Sequence, residues 1–154
     1  FKKALGQLIK KSLQPEIPFF IALVDIDNLE IINTAFGRDE GDILIKSCCD
    51  ILQSQKSSAV SVFHLFDDKF ALIHKGFLTK DNVLEYSSAL FSLFVKKGIS
   101  VSFGISIYPD HGASVDALIE NACFALRNVK YHGKESYSIF EMKAYNYRKK
   151  YSAA

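Results

Sequence analysis

The chain has 154 residues, about half of them apolar, which is enough to bury one hydrophobic core, so we predict a single folded domain. Its formal net charge of +2 is too small to indicate nucleic-acid binding. No apolar run approaches the roughly 18 residues of a membrane span, and no secretory signal is visible. The three cysteines lack C-x-x-C spacing, which argues against a disulfide or zinc framework and fits a reducing cytoplasm.

Apolar periodicity and turn residues divide the chain into helices and strands. A leading helix ends where Pro15 and Pro18 prevent its continuation. The next helix stops at Gly37, and Asp39 is placed to cap the one that follows. In chain order we predict helix 1–14, strand 19–27, helices 28–36 and 39–53, a hairpin over 60–73, helix 81–96, strand 99–107, helix 114–131 and strand 136–140.

The order of elements after the leading helix, β-α-α-β-β-α-β-α-β, predicts the fold class. A hairpin in the middle of this order favours an α+β fold with a mixed central β-sheet flanked by helices. We expect residues 1–141 to form the domain and residues 142–154 a tail or linker. The tail is either a helix leading to a further domain or a segment whose tyrosines pack on this one. Because the chain starts abruptly and without Met, we also expect it to be part of a larger protein.

Acidic residues mark two strand ends that together suggest a site. A buried apolar run ends at Asp25 and Asp27, and two alternating runs flank Asp67 and Asp68 at the hairpin tip. Carboxylates presented from two rigid strands suit a hard divalent cation such as Mg²⁺, which usually takes one or two protein carboxylates. The alternative is that Asp67 and Asp68 only form a polar turn.

Together with this hairpin, three other segments resemble the GGDEF domain family of diguanylate cyclases. Residues 25–42, DIDNLEIINTAFGRDEGD, resemble the family signature D-x-D-x-F-K-x-I-N-D-x-x-G-H-x-x-G-D. Residues 99–106 resemble its V-S-x-G-I-A strand, and residues 122–134 its A-D-x-A-L-Y-x-A-K-x-x-G-R helix. The resemblance implies a ferredoxin-like sheet of the nucleotide-cyclase palm type, in a bacterial protein of cyclic di-GMP signalling.

The resemblance also implies a site for GTP or another guanine nucleotide. Asp25, the Ile26 carbonyl and Asp68 would ligate Mg²⁺, which stabilises charge in phosphoryl transfer. Asn33 and Asp42 would read the guanine base, because an amide offers both a donor and an acceptor and a carboxylate accepts from base N–H groups. Without the resemblance, Asn33 and Asp42 are more simply a helix-end polar residue and a solvated acid.

Two lysines complete the implied nucleotide site. Lys130 and Lys134 fall where the family places phosphate-binding cations, four apart on one predicted helical face. The simpler interpretation of each is an exposed lysine near a helix end. A homodimer and an EAL-type phosphodiesterase domain in the same chain are further partners that the resemblance implies.

The hairpin tip departs from the motif that names the family. It runs Phe66-Asp67-Asp68-Lys69-Phe70. Phe66 and Asp67 stand where the family has glycines, which permit positive φ and close approach of a nucleotide, and a Phe66 ring would intrude on that space. Lys69 replaces an acid expected beside the metal, so Mg²⁺ affinity should be weakened. Glu30 replaces a phosphate-contacting lysine, and we hypothesise that it pairs with Lys69 to close the site without metal.

Three functions stay open from the sequence. The first is a degenerate GGDEF domain that is catalytically inactive and regulatory and that binds GTP. The second is an active diguanylate cyclase, in which two GTP-bound subunits meet and form cyclic di-GMP. The third is a protein-interaction scaffold without nucleotide. In each case we expect a cytoplasmic domain, in a larger protein that another segment could attach to a membrane.

Overall fold

The computed structural model describes residues 1–13, 16–76, 79–142 and 145–146. Within these ranges helices and strands follow one another in the predicted order. They are α1 (Lys2–Lys11), β1 (Phe19–Ile26), α2 (Leu29–Phe36), α3 (Arg38–Gln53), β2 (Val60–Phe66), β3 (Lys69–Lys75), α4 (Lys80–Lys96), β4 (Val101–Tyr108), α5 (Val115–Tyr131) and β5 (Ser136–Ile139).

The strands form one mixed sheet with β1 at its centre. The strand order is β2-β3-β1-β4-β5, and β1 runs antiparallel to both β3 and β4, whereas β5 runs parallel to β4. All eight residues of β1 are buried, which accounts for its nearly continuous apolar run. The predicted α+β class and mixed sheet are confirmed.

Alternation along β1 divides the core between the two faces of the sheet. Phe20, Ala22 and Val24 pack in a cluster with residues of α3 and α4, whereas Ile21 and Leu23 pack in a cluster with residues of α1 and α5. By the same period of two, odd-numbered residues at the end of β1 face α5. The two acidic residues that follow Val24 on odd positions are therefore on the α5 side.

Helix α5 approaches the sheet closely at Gly104 of β4. A Cβ atom at this position would overlap the Ala122 carbonyl oxygen and the Leu126 amide nitrogen. Any larger residue would therefore push α5 away from the sheet. The close approach fixes where the C-terminal end of α5 reaches the end of β1.

Two local predictions need correction. Asp39 does not cap α3, because the helix starts one residue earlier, at Arg38, and its N-cap is Gly37 with φ 94°. Asp39 lies instead in the first turn, where its charge still suits the helix dipole. The leading helix ends at Lys11, and the predicted last residue, Gln14, lies outside the described residues.

The tail is described only in part. Tyr145 packs edge-on against Phe124 and Phe140, with ring centroids 5.2 and 5.7 Å away. Residues 143–144 and 147–154 lie outside the described residues, so the predicted tail helix stays a prediction. Among the described helices, none combines the length and apolar character needed to span a membrane.

Replacing Gly104 by alanine should destabilise the domain by about 3 kcal/mol, because the new methyl group overpacks the contact between α5 and β4. Urea unfolding measures the change in the free energy of unfolding. Gly6→Ala is the matched control, since its methyl group would lie 3.6 Å from Val115 Cγ2, in ordinary contact. That control should stabilise α1 by roughly 0.5–1 kcal/mol, and equal effects of both changes would contradict the packing argument.

A second prediction concerns pH and His111, in the turn after β4. The Ile107 N–H donates to His111 Nδ1 at 2.9 Å, which requires an unprotonated Nδ1. Burial lowers the pKa of His111, although Asp110 opposes this. The unfolded chain therefore takes up the proton more readily, and the free energy of unfolding should fall as the pH drops below the ordinary value of 6.5.

His111→Asn isolates this effect, because an Asn Oδ1 can replace Nδ1 as the acceptor and does not titrate. The difference in unfolding free energy between native chain and variant should change between pH 7.5 and pH 5, measured by urea unfolding at each pH. A constant difference would show that His111 does not cause the pH dependence.

Candidate functional site

Asp25, at the end of β1, lies against two lysines from other elements. Lys69 Nζ is 3.3 Å from each carboxylate oxygen of Asp25, and Lys130 Nζ donates to Asp25 Oδ2. Lys69 is the register partner of Asp25 on β3, so both side chains leave the same face of the sheet. Lys130 reaches the carboxylate from the last turn of α5. The Asp25 side chain is only 4% exposed, so these ammonium groups are its main compensation for lost water.

Lys69 also contacts the hairpin tip. Its Nζ is 3.4 Å from Asp68 Oδ1, so one ammonium group bridges the carboxylates of Asp25 and Asp68. Burial lowers the pKa of Lys69, but the Asp25 and Asp68 carboxylates outweigh burial and leave that pKa raised. Burial raises the pKa of Asp25, while Lys130 acts in the opposite direction. Lys69 therefore keeps its positive charge at this site.

Asp27 holds the surrounding backbone together. Its buried carboxylate accepts hydrogen bonds from Ser100 Oγ and Ser102 Oγ, both at 2.7 Å, and from the Glu135 N–H at 3.1 Å. It thereby joins β1 to the start of β4 and to the loop after α5. No separate role for Asp27 was predicted from the sequence. The two serines spaced two apart at the start of β4 were the available signal for this contact.

Lys134 does not share a helical face with Lys130. Helix α5 ends at Tyr131, and Lys134 lies in the following loop with φ 64°. The expectation based on the four-residue spacing is therefore wrong. Lys134 still reaches the same end of the sheet, because its Nζ donates to Asn28 Oδ1 at 2.6 Å.

The two residues expected to read guanine line one cavity of about 390 Å³. Asn33 comes from α2 and Asp42 from α3, and the hairpin-tip residue Asp68 lines the same cavity. Asn33 Oδ1 is buried and has no hydrogen-bond partner among the described residues. A Cβ at Gly41 would overlap this oxygen, so glycine there leaves room for the Asn33 amide.

The cavity wall is rich in acids. Four carboxylates and one guanidinium line it, from Glu30, Asp42, Asp67, Asp68 and Arg38. A wall of this charge favours a ligand part that offers N–H donors over one that carries phosphate. Lys69 contacts the Asp68 carboxylate, and a negatively charged part of a ligand would be better placed beside this lysine.

Phe66 is not among the residues that line this cavity, and the expected intrusion of its ring on a bound nucleotide stays a prediction. Its side chain is among the exposed apolar ones, at 59% exposure, and Lys69 Nζ lies 5.9 Å from the ring centroid. Asp67 takes the left-handed conformation expected of glycine, with φ 43°, which Asp tolerates better than most residues. Its carbonyl accepts from His64 Nε2 at 2.9 Å, which ties the tip to β2. The substituted motif therefore still makes a tight turn.

The hypothesised pair between Glu30 and Lys69 is wrong for the described residues. Lys69 contacts Asp25 and Asp68 instead, because the antiparallel register places it beside Asp25. Glu30 lines the cavity that Asn33 and Asp42 also line.

The residues expected to hold Mg²⁺ do not suit it as they are arranged. Both oxygens of Asp25 already contact an ammonium group, and Lys69 lies between Asp25 and Asp68. A divalent ion bound there would have to displace Lys69 and would repel it at close range. Both expected carboxylate ligands, Asp25 and Asp68, are present, but the Lys69 ammonium group lies between them.

Comparison with known proteins identifies the family. The sequence model described as "Diguanylate cyclase, GGDEF domain" matches residues 1–136. The chain belongs to this family. This GGDEF domain is 25% identical over 149 residues to the bifunctional diguanylate cyclase/cyclic di-GMP phosphodiesterase MucR of Pseudomonas aeruginosa, covering 89% of this chain. It spans only 21% of the length of that relative.

Solved structures agree in fold. The GGDEF domain of TpbB, also called YfiN, from Pseudomonas aeruginosa matches with a TM-score of 0.88 at 19% identity, covering 97% of this chain and 92% of that one. An EAL/GGDEF domain protein from M. capsulatus matches with a TM-score of 0.73 at 26% identity, covering 89% and 94%. The predicted family and fold are thus confirmed.

Asp27→Ala should destabilise the domain by about 3 kcal/mol, because two hydroxyl groups and one backbone N–H lose their buried acceptor. Urea unfolding measures the loss. Glu85→Ala, at an exposed acid in the interior of α4, is the control and should change the unfolding free energy by less than about 0.5 kcal/mol. An Asp27 effect as small as that of Glu85 would contradict the structural role.

Proposed function

We propose that this GGDEF domain binds a guanine nucleotide, does not cyclise it, and acts as a regulatory domain of a cyclic di-GMP signalling protein. The observation that carries the proposal is the cavity lined by Asn33, Asp42 and Asp68, together with the buried Asn33 Oδ1, which lies against Gly41 and lacks a hydrogen-bond partner among the described residues. An unpaired buried polar atom costs roughly 1–3 kcal/mol. A ligand that pairs with the amide would recover this cost.

The chemistry of the cavity favours guanine. The guanine Watson–Crick edge offers N–H donors from N1 and the 2-amino group, which a carboxylate such as Asp42 can accept. The terminal torsion of Asn33 is soft, so its amide can turn either its acceptor or its donor toward the base. The acidic wall disfavours the phosphate tail in the cavity and leaves it to Lys69, beside Asp68.

The charge arrangement supports binding without turnover. Phosphoryl transfer by metal ions requires a divalent cation that polarises phosphate oxygens and the attacking hydroxyl. Here the Lys69 ammonium contacts both carboxylates that would hold such an ion, which disfavours its binding. The names of relatives such as MucR include cyclase activity, and an active cyclase is therefore the second candidate.

The signalling context follows from relatives that combine domains. MucR is named as both cyclase and phosphodiesterase, and the M. capsulatus protein as an EAL/GGDEF domain protein. We propose that this domain regulates a phosphodiesterase domain of EAL type in the same polypeptide, as a homodimer, in the cytoplasm. Its three cysteines are free thiols, which agrees with a reducing compartment.

Calorimetry with GTP in the presence of millimolar Mg²⁺, combined with chromatography of the same sample for cyclic di-GMP, tests this proposal. We expect heat of binding and no product. Gly41→Ala should weaken GTP binding at least about tenfold, because its methyl group displaces the Asn33 amide, and a tenfold loss corresponds to about 1.4 kcal/mol. Gly6→Ala, also a helical glycine, should bind GTP as the native chain does.

Two results would contradict the proposal. Formation of cyclic di-GMP would show an active cyclase, despite Lys69. Absence of GTP binding at millimolar concentration would leave an interaction scaffold as the function.

A further inference from the structure

We propose that Lys69 is a built-in counterion for nucleotide phosphate, so that this domain binds its nucleotide without a divalent metal ion. The inference rests on the proposed guanine-nucleotide binding and goes beyond it by naming the cation at the phosphate position. It starts from the contacts of one ammonium group with two carboxylates, at 3.3 Å from Asp25 and 3.4 Å from Asp68.

Strand pairing fixes the position of Lys69. Lys69 pairs with Asp25 in the antiparallel ladder, and the Asp25 side chain is nearly fully buried. The Lys69 side chain itself is 43% exposed. The ammonium group has three N–H donors and three carboxylate oxygens within reach. The two Asp25 oxygens, both 3.3 Å from Nζ, can share one donor and Asp68 takes a second, which leaves the third N–H for a ligand. Lys69 is therefore held in place by the protein and open to an anionic ligand on its exposed side.

The charges around this ammonium group balance without a metal. The two carboxylates of Asp25 and Asp68 face the two ammonium groups of Lys69 and Lys130. Mg²⁺ at the same place would add two positive charges within contact distance of Lys69. Lys69 would therefore repel a divalent ion at a place where two carboxylates without a lysine between them would attract it.

Asp68 connects the charged cluster around Lys69 to the cavity proposed to hold guanine. Asp68 lines this cavity together with Asn33 and Asp42, and its carboxylate contacts Lys69. A nucleotide whose base occupies the cavity would thus direct its phosphates past Asp68, toward Lys69. Lys134, held by Asn28 at the same end of β1, supplies a second cation on this side.

The test is calorimetry of GTP binding in EDTA and in millimolar Mg²⁺. For the native domain we expect dissociation constants that agree within twofold in the two buffers. Lys69→Met removes the charge and keeps the length of the side chain, and it should weaken binding in EDTA at least tenfold. Lys3→Met, at an exposed lysine of α1, is the matched control and should leave binding unchanged.

A second measurement needs no nucleotide. Electron paramagnetic resonance of free Mn²⁺ reports metal binding to the domain alone. The native domain should leave Mn²⁺ free, whereas Lys69→Glu, which restores an acid beside Asp25 and Asp68, should bind it. Circular dichroism and urea unfolding of each variant establish that it is folded.

The outcomes separate the two proposals. GTP binding that improves more than tenfold with Mg²⁺ would overturn the counterion role of Lys69 and leave guanine-nucleotide binding intact. Metal-independent binding that Lys69→Met does not weaken would also overturn that role. No GTP binding by the native domain in either buffer would overturn the proposed function and this inference with it, whereas Mn²⁺ bound to the native domain would overturn metal exclusion alone.

Discussion

The buried carboxylate of Asp25 is the constraint on which the candidate site depends. It ends the central strand of the sheet, where burial makes an uncompensated charge very costly. The compensation comes from Lys69 on the neighbouring strand and from Lys130 on the helix that crosses this face. That helix reaches the carboxylate because Gly104 lets it approach the sheet. The charge compensation of Asp25 therefore depends on the close packing of α5 against the sheet.

Asp25 and Asp27, at the end of β1, have different roles. Asp25 attracts cations, and Asp27, two residues later on the same face, binds the serines of β4 and the loop after α5. This second set of bonds fixes the backbone around the first. The loop carries Lys134 and contains consecutive residues with positive φ, so its anchoring to Asp27 and Asn28 keeps a strained segment in place.

The altered hairpin tip changes the charge of the site more than its shape. The Phe66 ring is exposed and lies 5.9 Å from Lys69 Nζ, and Asp67 makes the left-handed turn that glycine would otherwise make. The replacement of an acid by Lys69 has the larger physical consequence. It converts a pair of carboxylates that could share a divalent ion into a pair that shares an ammonium group. The tip thus keeps a tight turn, while its charge arrangement disfavours a hard cation.

The sequence by itself determined the order of helices and strands, the mixed sheet and the family, because periodicity, turn residues and motif spacing are local properties. It also indicated that Asn33 and Asp42 belong to one site. Only the tertiary structure decided which charges meet: Lys69 pairs with Asp25 across 44 residues of sequence, and Lys130 with Asp25 across 105. Strand register and the packing distance of α5 set these contacts, and neither can be inferred from the residues adjacent in the chain.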